Sequence, residues 1–225
     1  MGRSATTQEL LIRFRTDILL GVYGMSGPVR ELALADQYGM SRACVRNALV
    51  QLEKEGLIRA MPNGTKCVAC PTLKDIQDLY DLRLYLEQQA VSQILAQKDR
   101  TLGPLYSVME QVTDVEGLQV EEILSIDTRF HRTVILSSGN KALLQAWDTM
   151  AEVMQAIFRL NMTESDQYRQ WFADTFMQRH KGLFLSLAGE DGEAVRQFGE
   201  HIRDASEVSG KAMRKALQEA GEMAP

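Results

Sequence analysis

Residues 31–58 read ELALADQYGMSRACVRNALVQLEKEGLI, and this stretch decides the fold. Leu32, Leu34 and Ala35 supply apolar positions before a break at Gly39-Met40-Ser41. Beyond the break, Val45, Ala48, Leu49 and Leu52 recur at the i, i+3, i+4, i+7 spacing of one buried helix face. Ser41 stands at the N-cap position, where its hydroxyl can accept from a backbone N–H that has no intrahelical partner. Gly39 suits the sharp turn before it, which favours a positive φ. The opposite face of the second helix carries Arg42, Arg46 and Asn47 near its N-terminus. A helix-turn-helix presents that end to base edges in the major groove. Arginine forks match guanine edges or phosphate, and asparagine matches adenine. Alone, the pattern also fits an ordinary αα-hairpin with two solvated arginines.

The next residues separate these readings. Residues 56–60 read as a short strand, Pro62-Asn63-Gly64 as a turn and residues 65–69 as a returning strand. Two helices followed by a β-hairpin make a winged helix-turn-helix. Ser41-Arg42, Val45-Arg46-x-Ala48-Leu49 and Leu52-Glu53-x-Glu55-Gly56-Leu57 resemble the GntR family of bacterial transcription regulators, over about residues 8–70. The resemblance implies DNA contacts from Ser41, Arg42, Ala43, Arg46 and Asn47 on the recognition helix, and from Asn63 and Gly64 at the wing tip. The chain departs from the family where Thr-Pro is often found (Ala43-Cys44), where Glu is common (Asn47) and where Arg often precedes the wing glycine (Asn63). The Pro-Gly that usually precedes the motif is displaced into Ser26-Gly27-Pro28. These departures bear on the operator sequence and leave the fold reading intact.

Composition sets the bounds. A chain of 225 residues has room for one or two domains, each able to bury a core. Its 45% apolar and 24% charged residues are ordinary for a globular protein. No apolar run approaches the roughly 18 residues of a membrane span, and no signal-peptide pattern opens the chain. Three cysteines, Cys44, Cys67 and Cys70, make no disulfide framework, so a cytoplasmic location is expected. The net charge of −5 hides an asymmetry. Residues 1–70 hold 9 Lys+Arg against 6 Asp+Glu, or +3; residues 71–225 hold 16 against 24, or −8. A basic head on an acidic body suits a DNA reader whose second half has another task.

Residues 8–20 predict an amphipathic helix that packs behind the two already described. Gly21, Gly24 and Gly27 punctuate a loop, but no strand precedes them and no GK[ST] follows, which argues against a phosphate-binding site. Cys67-Val-Ala-Cys70 is a single CxxC, and strand alternation points its thiols to opposite faces, so wing strand is the better reading than metal or redox site. Cys44 could be sensitive to oxidation, though nothing in the sequence requires it. Pro71-Thr72 marks a boundary between a domain over 1–70 and one over 71–225. Thr72 and Asp75 begin the next helix as cap and first-turn acid. Helices are predicted over 73–97, 103–115, 119–137, 140–160, 164–187 and 191–219, an all-α bundle of about six helices. The chain is therefore mainly α, a winged helix-turn-helix followed by a helical bundle.

All three histidines, His131, His180 and His201, lie in the bundle. Asp127 precedes His131 by four residues, so the two share a helix face and can meet one ion. Taken singly, each histidine also reads as a hydrogen-bonded core or surface residue. Asp127-x-x-Phe130-His131, Ser138-Gly139-Asn140, His180 with the acidic turn Gly189-Glu190-Asp191, His201, and Leu82-Arg83-x-x-Leu86-Glu87 together resemble the FCD effector domain of the FadR-type branch, over about 73–215. That resemblance implies that Asp127, His131, His180 and His201 hold a divalent metal ion: zinc, nickel or manganese. Three imidazoles and a carboxylate suit zinc or nickel by ligand type. An organic acid could fill an open coordination position, with Arg83 as its bidentate partner; alternatively Arg83 pairs with Glu87 four residues on. Asn140 is expected to cap the following helix, and Trp147, Phe158, Trp171 and Phe172 to line the pocket or the core.

The expected function is a ligand-responsive regulator, most simply a repressor released by a small carboxylic acid. It is expected to bind double-stranded DNA at an inverted-repeat operator as a homodimer, with no membrane partner and no enzymatic activity. A purely structural metal in a constitutive DNA binder is one alternative. A metal-dependent enzyme with a DNA-binding head is another, against which no residue stands out as a dedicated general base.

Overall fold

A computed structural model describes residues 3–112, 119–164, 166–189 and 192–222. The chain separates into two compact units, Met1–Asp75 with Arg214–Pro225, and Ile76–Met213. No helix among the described residues is long and apolar enough to cross a membrane.

The first unit is built on α1 (Arg3–Leu19), α2 (Glu31–Tyr38) and α3 (Arg42–Lys54). Leu10, Phe14 and Ile18, spaced four apart on α1, are buried, and α1 and α2 both pack against α3. α2 stops where Gly39 turns left-handed at φ 65°. Ser41 then accepts from the Cys44 N–H at 3.2 Å and starts α3, whose buried face is Val45, Ala48, Leu49 and Leu52. Behind these helices Arg15 donates through Nε and Nη2 to both carboxylate oxygens of Glu55, at 2.8 and 2.7 Å. Their side chains are only 4% and 2% exposed.

The wing is β2 (Ile58–Ala60) and β3 (Lys66–Val68), with Arg59 opposite Cys67. Asn63 Oδ1 accepts from the Thr65 N–H at 3.0 Å and Gly64 adopts φ 78°, which closes the turn between them. A third strand, β1 (Pro28–Val29), pairs antiparallel with the other edge of β3, giving the order β1-β3-β2. Two residues, one of them proline, carry too little pattern to announce a strand. Cys70 follows β3, buried, with its thiol donating to the Ile18 carbonyl at 3.1 Å.

The rest of the chain is helical: α4 (Leu73–Leu95), α5 (Gly103–Val112), α6 (Val120–Ser137), α7 (Lys141–Glu164), α8 (Asp166–Ala188) and α9 (Ala194–Glu222), with the first turn of α4 and the end of α9 from Arg214 belonging to the first unit. α4 opens with a reciprocal cap: Thr72 Oγ1 accepts from the Asp75 N–H, and Asp75 Oδ2 from the Thr72 N–H. Asn140 Oδ1 accepts from the Ala142 and Leu143 N–H groups and starts α7. α7 packs on α6 and α8, and α5 on the same two. One expectation fails: α7 does not break at Asn161 but runs to Glu164. Asn161 and Met162 are buried there, so packing overrides the low helix preference of Asn and Thr. The break expected at Asp114–Gly117, and Glu190-Asp191, lie outside the described residues.

Two ion pairs of the first unit, Arg15–Glu55 and Lys66–Glu53, differ in burial and should differ in worth. Glu55→Ala removes both hydrogen bonds that Glu55 accepts from the buried Arg15 and is expected to cost about 3–5 kcal/mol. Glu53→Ala breaks a pair to Lys66 that is 38% and 28% exposed and should cost less than about 1 kcal/mol. Native-state hydrogen exchange of the α1 and α3 amides measures both.

Candidate metal centre and recognition face

The buried stripe of α4 is Ile76, Tyr80, Arg83, Glu87, Ala90 and Ile94. Two charged residues thus sit on an otherwise apolar line, which requires each to find a partner inside the bundle. Arg83 donates through Nε to Glu87 Oε1 at 2.8 Å, the pairing that stood as the alternative to an effector role. Its guanidinium also lies 5.6 Å from the Trp147 ring centroid and 5.4 Å from that of Phe158. Glu87 Oε2 lies 2.6 Å from His131 Nδ1. Both carboxylate oxygens are therefore occupied, one by an arginine on the same helix and one by an imidazole on α6.

On α6 Asp127 and His131 share the buried face, as their four-residue spacing predicts. α8 contributes His180 and α9 contributes His201. Asp127 Oδ1 lies 3.2 Å from His180 Nε2 and 3.7 Å from His131 Nε2. His131 Nε2 and His201 Nε2 are 3.3 Å apart. One nitrogen from each of the three histidines falls within 4.8 Å of the other two. The bundle brings all four expected residues together. Phe130 braces them, its ring 4.8 Å from that of His180 and stacked on Phe198.

Hydrogen bonds assign the tautomers. Glu87 accepts at His131 Nδ1, and the Phe176 carbonyl accepts from His180 Nδ1 at 2.8 Å. Each ring thus carries its proton on Nδ1 and turns a lone pair at Nε2 toward Asp127. His180 Nε2 has no hydrogen-bond partner among the described residues. Acceptors facing a carboxylate across 3.2–3.7 Å repel unless a cation lies among them. Donors each about 2.0–2.1 Å from a zinc ion at angles of about 90–110° stand about 2.9–3.4 Å apart; the Asp127–His180 and His131–His201 separations, 3.2 and 3.3 Å, match this, while the widest nitrogen pair, within 4.8 Å, must draw closer to share an ion. The donor set fits a divalent ion of borderline softness.

Burial opposes the Asp127 charge, but His131 and His180 outweigh it and hold the carboxyl well below the ordinary carboxylate range. Burial likewise opposes the Glu87 charge and is outweighed by His131 and Arg83. For His131 and His201 burial dominates and holds both below the ordinary imidazole value.

The centre opens on a cavity of about 20 Å³ lined by Arg83, Phe158, Phe172, Phe176 and Arg179 as well as Asp127, His180 and His201. Phe158 and Phe172 line it as expected; Trp147 is buried beside Arg83, and the Trp171 side chain lies outside the described residues. Glu87 was visible in the sequence only as a partner of Arg83. Its bond to a histidine 44 residues away was not. Two charges on one apolar stripe were the signal that could have revealed it.

In the first unit Ser41, Arg42, Ala43, Arg46 and Asn47 are all exposed along the start of α3, and Asn63 and Gly64 are exposed at the wing tip. Arg46 is engaged by Glu31 of α2 at 3.1 and 3.3 Å.

A winged helix-turn-helix and a helical bundle in one chain define the class of two-domain bacterial regulators. The chain belongs to the GntR family, in the branch that carries an FCD domain: residues 6–66 match the bacterial regulatory proteins of the gntR family and residues 78–204 match the FCD domain. It is 26% identical over 185 residues to the HTH-type transcriptional regulator YdhC of Bacillus subtilis, covering 80% of each chain. It is 26% identical over 197 residues to the gluconate operon transcriptional repressor of Bacillus licheniformis, covering 87% of this chain and 81% of that one. Its fold is similar to that of Escherichia coli McbR/YncC, with a TM-score of 0.61 at 18% identity over 95% of this chain and 98% of the other.

Glu87→Gln keeps the shape but removes the charge that fixes His131. Metal affinity, measured by competition with a chromophoric chelator, is expected to fall about 10–100-fold, the usual cost of losing an outer partner of a ligating histidine.

Proposed function

We propose that this regulator is a repressor whose bundle binds a divalent ion through Asp127, His131, His180 and His201, and a small carboxylic acid beside it. The observation that carries the reading is the convergence of lone pairs and one carboxylate oxygen on a single buried point, with two of the three rings held in the ligating tautomer. Zinc, nickel and manganese all suit the set, the first two best by ligand type.

Charge supports the effector class. Arg83 balances Glu87, which leaves the Asp127 charge facing the ring nitrogens of His131 and His180. A divalent ion turns that single negative charge into a single positive one, and a carboxylate neutralises it inside a medium that penalises net charge. The Glu87 bond engages Arg83 through Nε; the rest of the guanidinium fork is the group assigned to the carboxylate. The ion supplies an electrophilic anchor for that oxygen, and Arg83 orients it.

At the other end of the chain, Arg42, Arg46 and Asn47 of α3, with Ser41 and Ala43 at its start, read the major groove, while Asn63 and Gly64 of the wing approach the backbone. A cytoplasmic homodimer places two such heads on an inverted repeat. The acid acts by binding unequally to the arrangements of the two heads that do and do not fit the operator. Repression is carried over from the relatives named repressors.

The small cavity, about 20 Å³, favours a second reading, an ion that only holds the bundle together. It has room for about one water, so an acid must displace side chains to enter.

Three outcomes test these readings. A panel of small organic acids on metal-loaded protein is expected to contain one that raises the melting midpoint by the equivalent of about 2.7 kcal/mol at 100 times its Kd, and that has no effect on His131→Ala. Stabilisation by metal with no added effect from any acid would instead support the structural ion. Arg46→Ala should weaken operator binding by about 1–3 kcal/mol if the fork contacts a base; unchanged binding refutes that contact. His131→Ala is expected to bind the operator like wild type in gel-shift titrations but to lose its release by the acid.

A further inference from the structure

The ring partners of the three histidines are unequal. When Nε2 ligates an ion the imidazole proton must sit on Nδ1, and that N–H needs an acceptor. His131 has Glu87 and His180 has the Phe176 carbonyl. His201 Nδ1 is buried and has no partner among the described residues. A buried donor left unmade is costly, and beside two rings whose Nδ1 is paired it points to a missing acceptor.

His201 also stands at a junction. Besides lining the small cavity, it lines a groove of about 210 Å³ between α8 and α9, together with Gln178, Arg179, Gln197, Glu200 and Asp204. Arg179 is the other residue shared by cavity and groove that bears a polar side chain. Its Nη2 lies 3.0 Å from Asp204 Oδ2, in a pair whose side chains are 31% and 52% exposed, so the contact is easily exchanged. The remaining acid of the groove, Glu200, is held by Arg196 at 2.6 Å. The groove is thus lined by a cation that has an exchangeable acid among its partners, by two amides and by the His201 ring.

We propose that the α8–α9 groove is a second carboxylate subsite, in which Arg179 and the Nδ1–H of His201 bind the anion after Asp204 gives way. This rests on the metal reading above, because ligation through Nε2 is what places the proton on Nδ1. An acid bearing two carboxylates could then engage Arg83 with one and Arg179 with the other. An acid bound at His201 Nδ1 also acts on the ion through the ring, which couples the groove to the buried centre.

The chain has three histidines, so zinc-loaded full-length protein with isotope-labelled histidine yields three ring spectra. Acetate is the probe for the carboxylate group. It is expected to shift the His201 Nδ1 signal saturably in wild type. Arg179→Gln should weaken that titration about tenfold or more, the loss of a charge-assisted hydrogen bond. Asp204→Asn, which removes the competing acid, should strengthen it. No saturable shift at His201 Nδ1, or one equal in wild type and Arg179→Gln, overturns the subsite. Acetate shifts confined to His131 and His180, indifferent to Arg179, also overturn it while leaving the carboxylate at the ion intact. If zinc itself leaves the three Nε2 signals unmoved, the metal reading fails and the subsite falls with it.

Discussion

The second unit depends on the bond between Glu87 and His131. A carboxylate 2.6 Å from Nδ1 pins the ring in one tautomer and one orientation, and only then does Nε2 face Asp127 and His201. Arg83 makes this possible by holding the other oxygen of Glu87, so that the acid stays charged in a place that disfavours charge. The dependence runs outward from α4 to α6 and then to α8 and α9. Four helices that share no local sequence are fixed by one polar cluster, while Phe130, Phe176 and Phe198 fill the space around it. An apolar core tolerates small slides of one helix on another; a set of directional bonds does not.

The readable parts of the chain are those in which cause and effect lie within a helical turn or two. Gly39, Ser41 and the spacing of Val45, Ala48, Leu49 and Leu52 each act on their neighbours, and the structure realises them as a left-handed turn, a cap and a buried face. Asp127 and His131 share a face for the same reason. His180 and His201 join them from other helices, and residue spacing alone could not bring together groups 70 positions apart; only likeness to a known domain did so. The link from Glu87 to His131 is not legible in the sequence because each residue has a local partner, Arg83 for one and Asp127 for the other. Residues 161–165 read as a break because Asn and Thr favour caps and turns, yet burial of Asn161 and Met162 carries α7 on to Glu164. Arg179 and Asp204 reveal themselves only when α8 lies beside α9.

The first unit distributes its charges differently. Arg15 and Glu55 are sealed behind the helices and tie α1 to the end of α3, so the scaffold that carries the recognition helix is stiff. At the front, Arg46 and Glu31 are 66% and 37% exposed. Water and salt screen that pair, and a phosphate or a base edge can replace the glutamate at small cost. The head is thus firm where it must hold an angle and exchangeable where it must meet a partner.

The three-stranded wing has a consequence of another kind. An open sheet offers unpaired backbone groups along both outer strands, and regulators gathered on one stretch of DNA meet each other at high local concentration. Here one edge is a two-residue strand that begins with Pro28, which has no N–H to give, and the other is the three-residue strand containing Arg59. Neither is long enough to template a further strand, and each carries a residue that discourages one. The wing can crowd against its neighbours without being drawn into a continuous sheet with them.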